Sequence, residues 1–292
     1  MKLAFVLAEK AEFPVAAMCR ILGVSRSGVY ACAARGESHR AKRDRALMVH
    51  VRDAHIVTGQ RTYGSPRVYR ELRERRISVG RHRIARLMRS VGLWAKTPRR
   101  FVTTTVVDPG LPVAPNIVRR AFSPSRPNQT WASDITYVRT AAGWMYLAVI
   151  LDLFSRKVVG WATSARADSA LTMEALAMAL RRRSPPRTLI HHSDRGCQYS
   201  SEDYQRALRR AGIRCSMSRK GNCWDNAVVE SFFATIKTER LHRSSFPNRA
   251  AASDAVFDYV ENFYNPTRRH STLGYLSPNE YERRFSTESR AA

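Results

Sequence analysis

The sequence predicts an α/β protein in which a mixed sheet with flanking helices follows an all-helical, basic region. Residues 1–95 contain apolar side chains at helical spacing, whereas residues 130–218 contain aromatic and β-branched runs that alternate with helical segments. This alternation is typical of a sheet layered against helices. The 292-residue chain carries 50 Lys and Arg against 24 Asp and Glu, a net charge of +26. Such a charge favours a polyanionic partner.

The composition favours nucleic acid over a membrane as that partner. The longest apolar run, residues 144–151, is far shorter than a bilayer span. Glu9, Lys10 and Glu12 interrupt the N-terminal apolar stretch before it reaches the length of a signal peptide. We therefore expect a cytoplasmic protein with no membrane partner. The five cysteines include no C-x-x-C pair, so we expect reduced thiols and no zinc site.

Residues 1–95 are predicted to form a DNA-binding region with two helix-turn-helix units. In the first unit, about 13–34, apolar residues at helical spacing stop at Gly23 and a second helix follows. The second unit, about 61–94, repeats this plan, with Gly80 able to cap its second helix. Two such units in a very basic segment indicate DNA contact.

The arginines of these units are the candidate DNA contacts. The sequence does not distinguish which unit reads DNA, and a solvated basic surface is the alternative interpretation of each cluster. The candidates taken from the two units are Arg26, Arg81, Arg83 and Arg86.

Residues 96–125 are rich in proline and lack a helical period, which predicts a linker with extended pieces. A sheet-containing core is predicted at 126–242, and a C-terminal helical extension of that core at 243–292. The predicted strands are 130–138, 143–154, 157–163, 188–194 and 213–218. The predicted helices are 170–183, which Asp168 or Ser169 would cap, about 200–210 and about 226–241.

Three carboxylates stand out in the predicted core. Asp134 lies within the first strand, Asp194 at the end of the fourth, and Glu230 in the helix after the fifth. Side chains from neighbouring strand ends can converge, and three converging carboxylates repel unless cations lie among them. An all-oxygen cluster selects Mg²⁺ or Mn²⁺, and two such ions suit in-line displacement at phosphorus.

Each carboxylate also has a structural alternative. Asp134 could cap a turn, Asp194 could accept backbone N–H groups before Gly196, and Glu230 could pair with a surface arginine. Asp152 lies at a hairpin corner that accounts for it, so we do not count it among the candidates.

The stretches around the three carboxylates resemble a known family. "WASDITYV", "HHSDRGCQYSS" and "NCWDNAVVESFFATIKTER" are similar to the DDE transposase core of the insertion sequence three family, the product of its second reading frame (OrfB). Thirty-five residues separate Asp194 from Glu230, and Lys237 follows seven residues after Glu230, as in that family. "CRILGVSRSGVY", "YGSPRVYRELR", "GWMYLAVILDLFSRKVVGW" and "YNPTRRHSTLGYLSP" extend the resemblance through almost the whole chain.

This resemblance implies a ribonuclease-H-like fold, with Asp134, Asp194 and Glu230 as a catalytic and metal-binding triad for two Mg²⁺ or Mn²⁺ ions. Members of the family cut one DNA strand at each element end and join the freed 3′-hydroxyl to another phosphodiester. Lys237, on nearly the same helix face as Glu230, would contact DNA. Asn226 shares that face and would contact DNA or cap the helix.

Strand alternation gives His192 the same face as Asp194, so we expect His192 to line the site without binding metal. The expected partners are the inverted-repeat DNA ends, target DNA, further copies of the chain on DNA, and the product of an upstream frame (OrfA), separate or fused. Two alternatives use the same residues: a DNA-binding protein with an idle ribonuclease-H-like domain, and a metal-dependent nuclease that only hydrolyses.

Overall fold

The computed structural model of the protein describes residues 2–34, 37–95, 114–119, 122–219 and 223–291. Most of the linker predicted at 96–125 therefore lies outside the described residues. Among the helices of the described part, none is both long and apolar enough to cross a membrane.

The part of the chain that precedes the sheet is helical. Its helices are α1 (Lys2–Ala8), α2 (Val15–Leu22), α3 (Arg26–Ala34), α4 (His39–Asp53), α5 (Ser65–Glu74) and α6 (Arg81–Ser90). Gly23 ends α2 because its left-handed backbone, with φ of 63°, turns the chain and lets its N–H reach the Cys19 carbonyl. Ser25 then begins α3 by accepting a hydrogen bond from the Gly28 N–H at 3.0 Å.

Helix α4 lies between the two predicted units and has no counterpart in the sequence-based assignment. Its fifteen residues, "HRAKRDRALMVHVRD", bury only Leu47 and Val51, so the sequence carries no clear apolar period there. A π-helical segment, Ala54–Thr58, continues it. The second helix pair therefore packs on a long polar helix that precedes it.

The core contains a five-stranded mixed sheet. Its strands are β1 (Thr130–Thr140), β2 (Gly143–Asp152), β3 (Val158–Ser164), β4 (Ile190–Ser193) and β5 (Arg214–Met217). They lie in the order β3-β2-β1-β4-β5. Strands β1 to β3 are antiparallel neighbours, whereas β4 runs parallel to both β1 and β5. The predicted mixed sheet with flanking helices, after a helical region, is confirmed.

The helices of the core connect or follow these strands. They are α7 (Ser169–Arg183), α8 (Cys197–Ser200), α9 (Glu202–Arg210), α10 (Ala227–Glu239), α11 (Arg249–Phe257) and α12 (Pro278–Ala291). Asp168 caps α7 by accepting the Leu171 N–H at 3.2 Å. A 3-10 turn, Cys223–Asn226, leads into α10, and a π-helical segment, Asp258–Tyr264, continues α11.

The two faces of the sheet bury different cores. One face packs with α7 and α9 through residues such as Trp131, Ile150 and Leu176. The other face shares one continuous cluster with α10, α11 and the helical region, which reaches from Leu47 to Tyr264. A separate small cluster joins α1, α2 and α3. The second predicted unit therefore packs on the sheet domain, while the first has a core of its own.

Candidate active site

Asp134 lies on β1 just beyond the part of that strand that pairs with β4. The parallel pairing covers Thr130 to Ala132, the last of which lies opposite His192. Asp134 is half-buried, and its Oδ1 accepts a hydrogen bond from the N–H of Ile135 at 2.8 Å. The carboxylate therefore lies at the edge that β4 leaves open.

Asp194 is the first residue after β4. Because β1 and β4 are parallel and Ala132 lies opposite His192, extending that register by two residues brings Asp194 alongside Asp134. The Oδ1 atom of Asp194 accepts the Gly196 N–H at 2.9 Å. The expected turn interaction is thus present, and it leaves Oδ2 of the carboxylate outside that bond.

Glu230 lies in the first turn of α10, which packs against β1. Its side chain is exposed, and among the described residues it forms no ion pair with an arginine. The helix thus brings a third carboxylate to the open edge of β1.

The charges of Asp194 and Glu230 both act on Asp134. Burial raises the pKa of Asp134 well above its usual value, and the charges of Asp194 and Glu230 raise it further, against the Ile135 N–H and Lys237. Burial also raises the pKa of Asp194, against the Gly196 N–H, and the pKa of Glu230. Like charges so placed favour a bound cation. Within the described ranges, no three His, Cys, Asp or Glu side chains form a ready-made metal cage.

Lys237 lies two turns after Glu230 on α10 and is largely buried, with 6% of its surface exposed. Its Nζ lies 4.9 Å from the centroid of the Tyr137 ring. Burial lowers the pKa of Lys237, while the charge of Asp134 acts in the opposite direction. The ammonium therefore lies within the electrostatic range of the carboxylates, covered on one side by an aromatic ring.

Asn226 precedes α10, but its side chain does not make the helix cap that was one of the two interactions expected for it. No side-chain cap is formed. Instead its Nδ2 donates to the Ser133 carbonyl at 3.2 Å, and the buried Oδ1 has no hydrogen-bond partner among the residues that the structure describes. Asn226 thus ties the start of α10 to the residue before Asp134, away from the protein surface.

His192 lies behind the carboxylates. Its Nδ1 is 2.9 Å from Ser216 Oγ on β5, and its Nε2 is 3.0 Å from the carbonyl of Asp225 in the 3-10 turn. Burial lowers its pKa, so the ring is neutral at pH 7. His191 faces the opposite side and pairs with the Tyr204 hydroxyl at 2.9 Å. Among the described residues, the two adjacent histidine rings therefore belong to separate hydrogen-bond networks on opposite sides of β4.

Asp225 is a site residue that the sequence reasoning missed. Its side chain is fully buried and pairs with the Arg219 guanidinium at 2.9 Å. It also accepts a hydrogen bond from Asn116 Nδ2 at 2.8 Å. An aspartate directly before Asn226 in "WDN" was the available signal. Asp225 anchors the turn from which α10, and with it Glu230, departs.

The predicted DNA-contact arginines of the helical region divide into two groups. Arg26 and Arg81 are exposed at the starts of α3 and α6. Arg83 and Arg86 instead pair with Asp44 on α4 at 2.7 and 2.6 Å. Hydrogen bonds from Arg86 and Arg83 lower the pKa of Asp44. The second pair therefore also joins α6 to α4.

Comparison with protein-family models also separates the helical region from the sheet-containing core. Two models described as integrase core domain match residues 124–223 and 211–278. A model described as HTH-like domain matches residues 42–101. The latter match includes α5 and α6 and begins within α4, so it coincides with the second predicted unit rather than the first.

Individual proteins resemble the chain over nearly its full length. It is 45% identical to the transposase InsF for insertion sequence IS3A of Escherichia coli, covering 97% of this chain and 98% of InsF. It is 46% identical to a 31 kDa protein of insertion element IS600 of Shigella sonnei, over 92% of this chain and 98% of that protein.

Solved structures resemble the core more distantly. The catalytic core of HTLV-2 integrase in complex with magnesium aligns with a TM-score of 0.41 and 21% identity, over 54% of this chain and 98% of that core. An intasome of simian T-cell lymphotropic virus in complex with a PP2A regulatory subunit aligns with a TM-score of 0.42 and 18% identity, over 71% and 67% of the two chains.

The sheet order, the integrase-core matches and the helical region together define a DNA-processing polynucleotidyl transferase with a ribonuclease-H-like core. Its full-length relatives make the assignment narrower. The chain belongs to the IS3 family of insertion-sequence transposases. As a transposase with an HTH-like region, it binds DNA.

Proposed function

We propose that Asp134, Asp194 and Glu230 are the catalytic carboxylates of this transposase and that they hold two Mg²⁺ ions. The observation that carries this proposal is the parallel register of β1 and β4, which brings Asp194 alongside Asp134, while α10, the helix of Glu230, packs against β1. Because the charges of Asp194 and Glu230 both act on Asp134, this group of carboxylates suits a divalent cation, and its all-oxygen donor set suits Mg²⁺ or Mn²⁺. When bound, the ions would supply Lewis-acid stabilisation of charge at the reacting phosphate.

The reaction proposed is strand cleavage followed by strand transfer. In the first step a water oxygen forms a bond to phosphorus at the element end and loses a proton to solvent. The bond from phosphorus to the 3′-oxygen breaks, and that oxygen takes up a proton from solvent to become a hydroxyl. In the second step the freed 3′-hydroxyl loses its proton and its oxygen forms a bond to the phosphorus of a target phosphodiester. The bond from that phosphorus to the 3′-oxygen of the target strand breaks, and the leaving oxygen takes up a proton. Both steps are displacements at phosphorus, so no protein nucleophile is needed.

The other residues of the site support the carboxylates in this scheme. The ammonium of Lys237 opposes the rise in the pKa of Asp134, which favours the ionised form that binds cations. Asn226 ties the start of α10 to β1, and Asp225 ties the same turn to Arg219 after β5; together they orient Glu230. Residues 42–101 bind the inverted-repeat ends through their HTH-like domain. Pairing two ends requires more than one copy on DNA, and we include an OrfA product or fusion as a partner.

The experiment that tests this proposal uses Asp194→Asn. Purified protein, with and without the upstream-frame product, is incubated with Mg²⁺ and supercoiled DNA that carries the inverted repeats. We expect nicked and joined-end products from the native protein and their loss in Asp194→Asn, with DNA binding retained. The control is Asp203→Asn, which changes an exposed carboxylate on α9 and should leave the products unchanged.

Other outcomes would support the alternatives. Specific binding without any cut, even with the upstream product, would favour a DNA-binding protein with an idle core. Nicking without joined ends would favour a nuclease that only hydrolyses. Products that persist in Asp194→Asn would remove this carboxylate from the catalytic set.

A further inference from the structure

A segment near the C-terminus joins the HTH-like region to the helix that carries Glu230. Residues 264–278, "YNPTRRHSTLGYLSP", run between the π-helical segment and α12 and are called the strap below. The strap contains two adjacent arginines, Arg268 and Arg269, and both are almost fully buried. Buried arginines require partners to offset their desolvation. The partners of these two lie in different parts of the protein.

Arg269 binds the HTH-like region. Its guanidinium donates to Glu71 at 2.6 and 3.0 Å and to Glu74 at 2.6 Å, both on α5. The backbone of the strap adds two bonds to the hydroxyl of Tyr63, which donates to the Thr267 carbonyl at 3.1 Å and accepts the Arg269 N–H at 3.0 Å. Tyr63 itself is fully buried. The strap therefore holds α5 and the turn before it by several directional bonds.

Arg268 binds α10 instead. It donates to both carboxylate oxygens of Glu239 at 2.7 Å. Glu239 also accepts from the Tyr259 hydroxyl at 2.7 Å and, more weakly, from Arg67 of α5 at 3.4 Å. Burial acts to raise the pKa of Glu239, but the bonds and charge of Arg268, the Tyr259 hydroxyl and the charge of Arg67 together outweigh it, and the net effect is a lower pKa. The carboxylate is therefore charged and fixed in place.

Glu239 and Glu230 belong to the same helix. They are nine residues apart on α10, which corresponds to about 13 Å along a rigid helix. A displacement of α5 relative to the strap would thus be transmitted through Arg269, Arg268 and Glu239 to the third carboxylate. The apolar contacts between these elements hold them together but do not fix their relative orientation. Bidentate arginine–carboxylate pairs have a defined geometry and do fix it.

We propose that the strap sets the register between the DNA end held by the HTH-like region and the carboxylates that cut it, with Arg268 and Arg269 as positioning residues. This inference rests on the proposed function, because a register matters only if the core cuts the DNA that the helical region holds. Its consequence is that the strap determines which phosphate is cut rather than whether DNA binds.

The test maps the cut position in Arg269→Lys on DNA that carries a labelled inverted repeat. Lysine keeps the charge near Glu71 and Glu74 but loses the planar fork that fixes α5. We expect affinity for the DNA end to stay within about twofold, cutting at the native phosphate to fall about a hundredfold, and cuts to spread to neighbouring phosphates. The matched control is Arg284→Lys, which alters an exposed arginine paired with Glu280 on α12.

The position of the cut separates positioning from a purely structural role. If the Arg269→Lys protein cuts the DNA only at the native phosphate, whatever the rate of cutting, the proposal is wrong. Arg268→Lys serves as a second variant should the first fail to fold, since it loosens the same path at α10, and the same displaced cuts are expected. Failure of the proposed function would be seen separately, as cutting that survives Asp194→Asn.

Discussion

At the residue scale, the carboxylate Asp194 is expected to lower the stability of the folded protein when no metal is present. Burial raises its pKa, and its charge raises that of Asp134. A raised pKa in the folded state means that folding favours the protonated form. The corresponding stability is therefore present below the unfolded pKa of about 3.9 and is lost as the pH rises through the folded value.

Asp194→Asn should consequently stabilise the metal-free protein at pH 7 while removing its activity. Asparagine keeps an oxygen that can accept the Gly196 N–H but removes the charge that opposes Asp134. We expect a gain of order 1 kcal/mol in unfolding free energy at pH 7, which shrinks as the pH falls to 4. Thermal unfolding in a chelating buffer across this pH range measures it.

Mg²⁺ provides the internal comparison for this prediction. Ligand that binds only the folded state stabilises it, so Mg²⁺ should raise the melting temperature of the native protein more than that of Asp194→Asn. The exposed Asp203→Asn control should show no such pH dependence. A variant less stable than the native protein at pH 7 would contradict the linkage argument.

At the element scale, the contact between β3 and α7 depends on one glycine. A Cβ built on Gly160 would lie 2.9 Å from the Cβ of Ala179 and 3.0 Å from its backbone nitrogen, and nearer still to the Ala175 carbonyl oxygen. Backbone atoms of a helix cannot move aside as a flexible side chain can. Gly160 lies on β3, opposite Ile150 of β2, and it therefore allows the close approach of α7 to the sheet.

Gly160→Ala should force α7 away from the sheet. Overpacking of this kind costs about 1–3 kcal/mol, and the rigid neighbours favour the upper part of that range. The measurement is urea unfolding of the variant against the native protein. Gly80→Ser is the control, because a Cβ there meets open space and serine is a good N-cap for α6. Equal stability of Gly160→Ala and the native protein would show that α7 can shift freely.

The helices and strands were predictable from the sequence where a local pattern of residue types marks them. Aromatic and β-branched runs in β1 and β2 and the Asp168 cap of α7 located these elements to within a few residues. Helix α4 was missed because its buried positions, Leu47 and Val51, are too few to mark a face. Tertiary packing on α5 and α6 stabilises it instead, and no local pattern reports such packing.

At the scale of the whole molecule, the candidate site was predictable in outline and not in detail. Parallel strands end at the same edge, so the proximity of Asp134 and Asp194 follows from the strand order. The pairing of Arg269 with Glu71 joins residues almost 200 positions apart, and nothing in the local sequence marks it. The buried position of Asn226 was likewise unpredictable, because it depends on the Ser133 carbonyl of another strand.

A second long-range network attaches α12 to the sheet. Arg183, at the end of α7, donates to Asp152 at 3.0 Å and to Glu282 of α12 at 2.8 Å. Asp152 is fully buried and also accepts the backbone N–H groups of Asn128 and Phe154. Burial raises its pKa, and these two N–H groups and Arg183 act against that rise. The hairpin explanation of Asp152 was thus correct but incomplete, since this carboxylate also binds Arg183 at the end of α7.

Arg183→Ala should destabilise the protein far more than Arg182→Ala, which removes the neighbouring arginine of α7. It leaves Asp152 buried without its cation, a change that typically costs about 3–5 kcal/mol, whereas Glu282 keeps Lys157 at 3.3 Å. Arg182→Ala is the matched control, because Arg182 pairs with Glu261 in a more exposed setting at 2.8 Å, where loss costs about 1 kcal/mol or less. Urea unfolding at pH 7 compares the two. The difference in unfolding free energy between the two variants should narrow toward pH 4, because protonation of Asp152 removes the uncompensated charge. Equal losses of unfolding free energy at pH 7 would contradict the prediction.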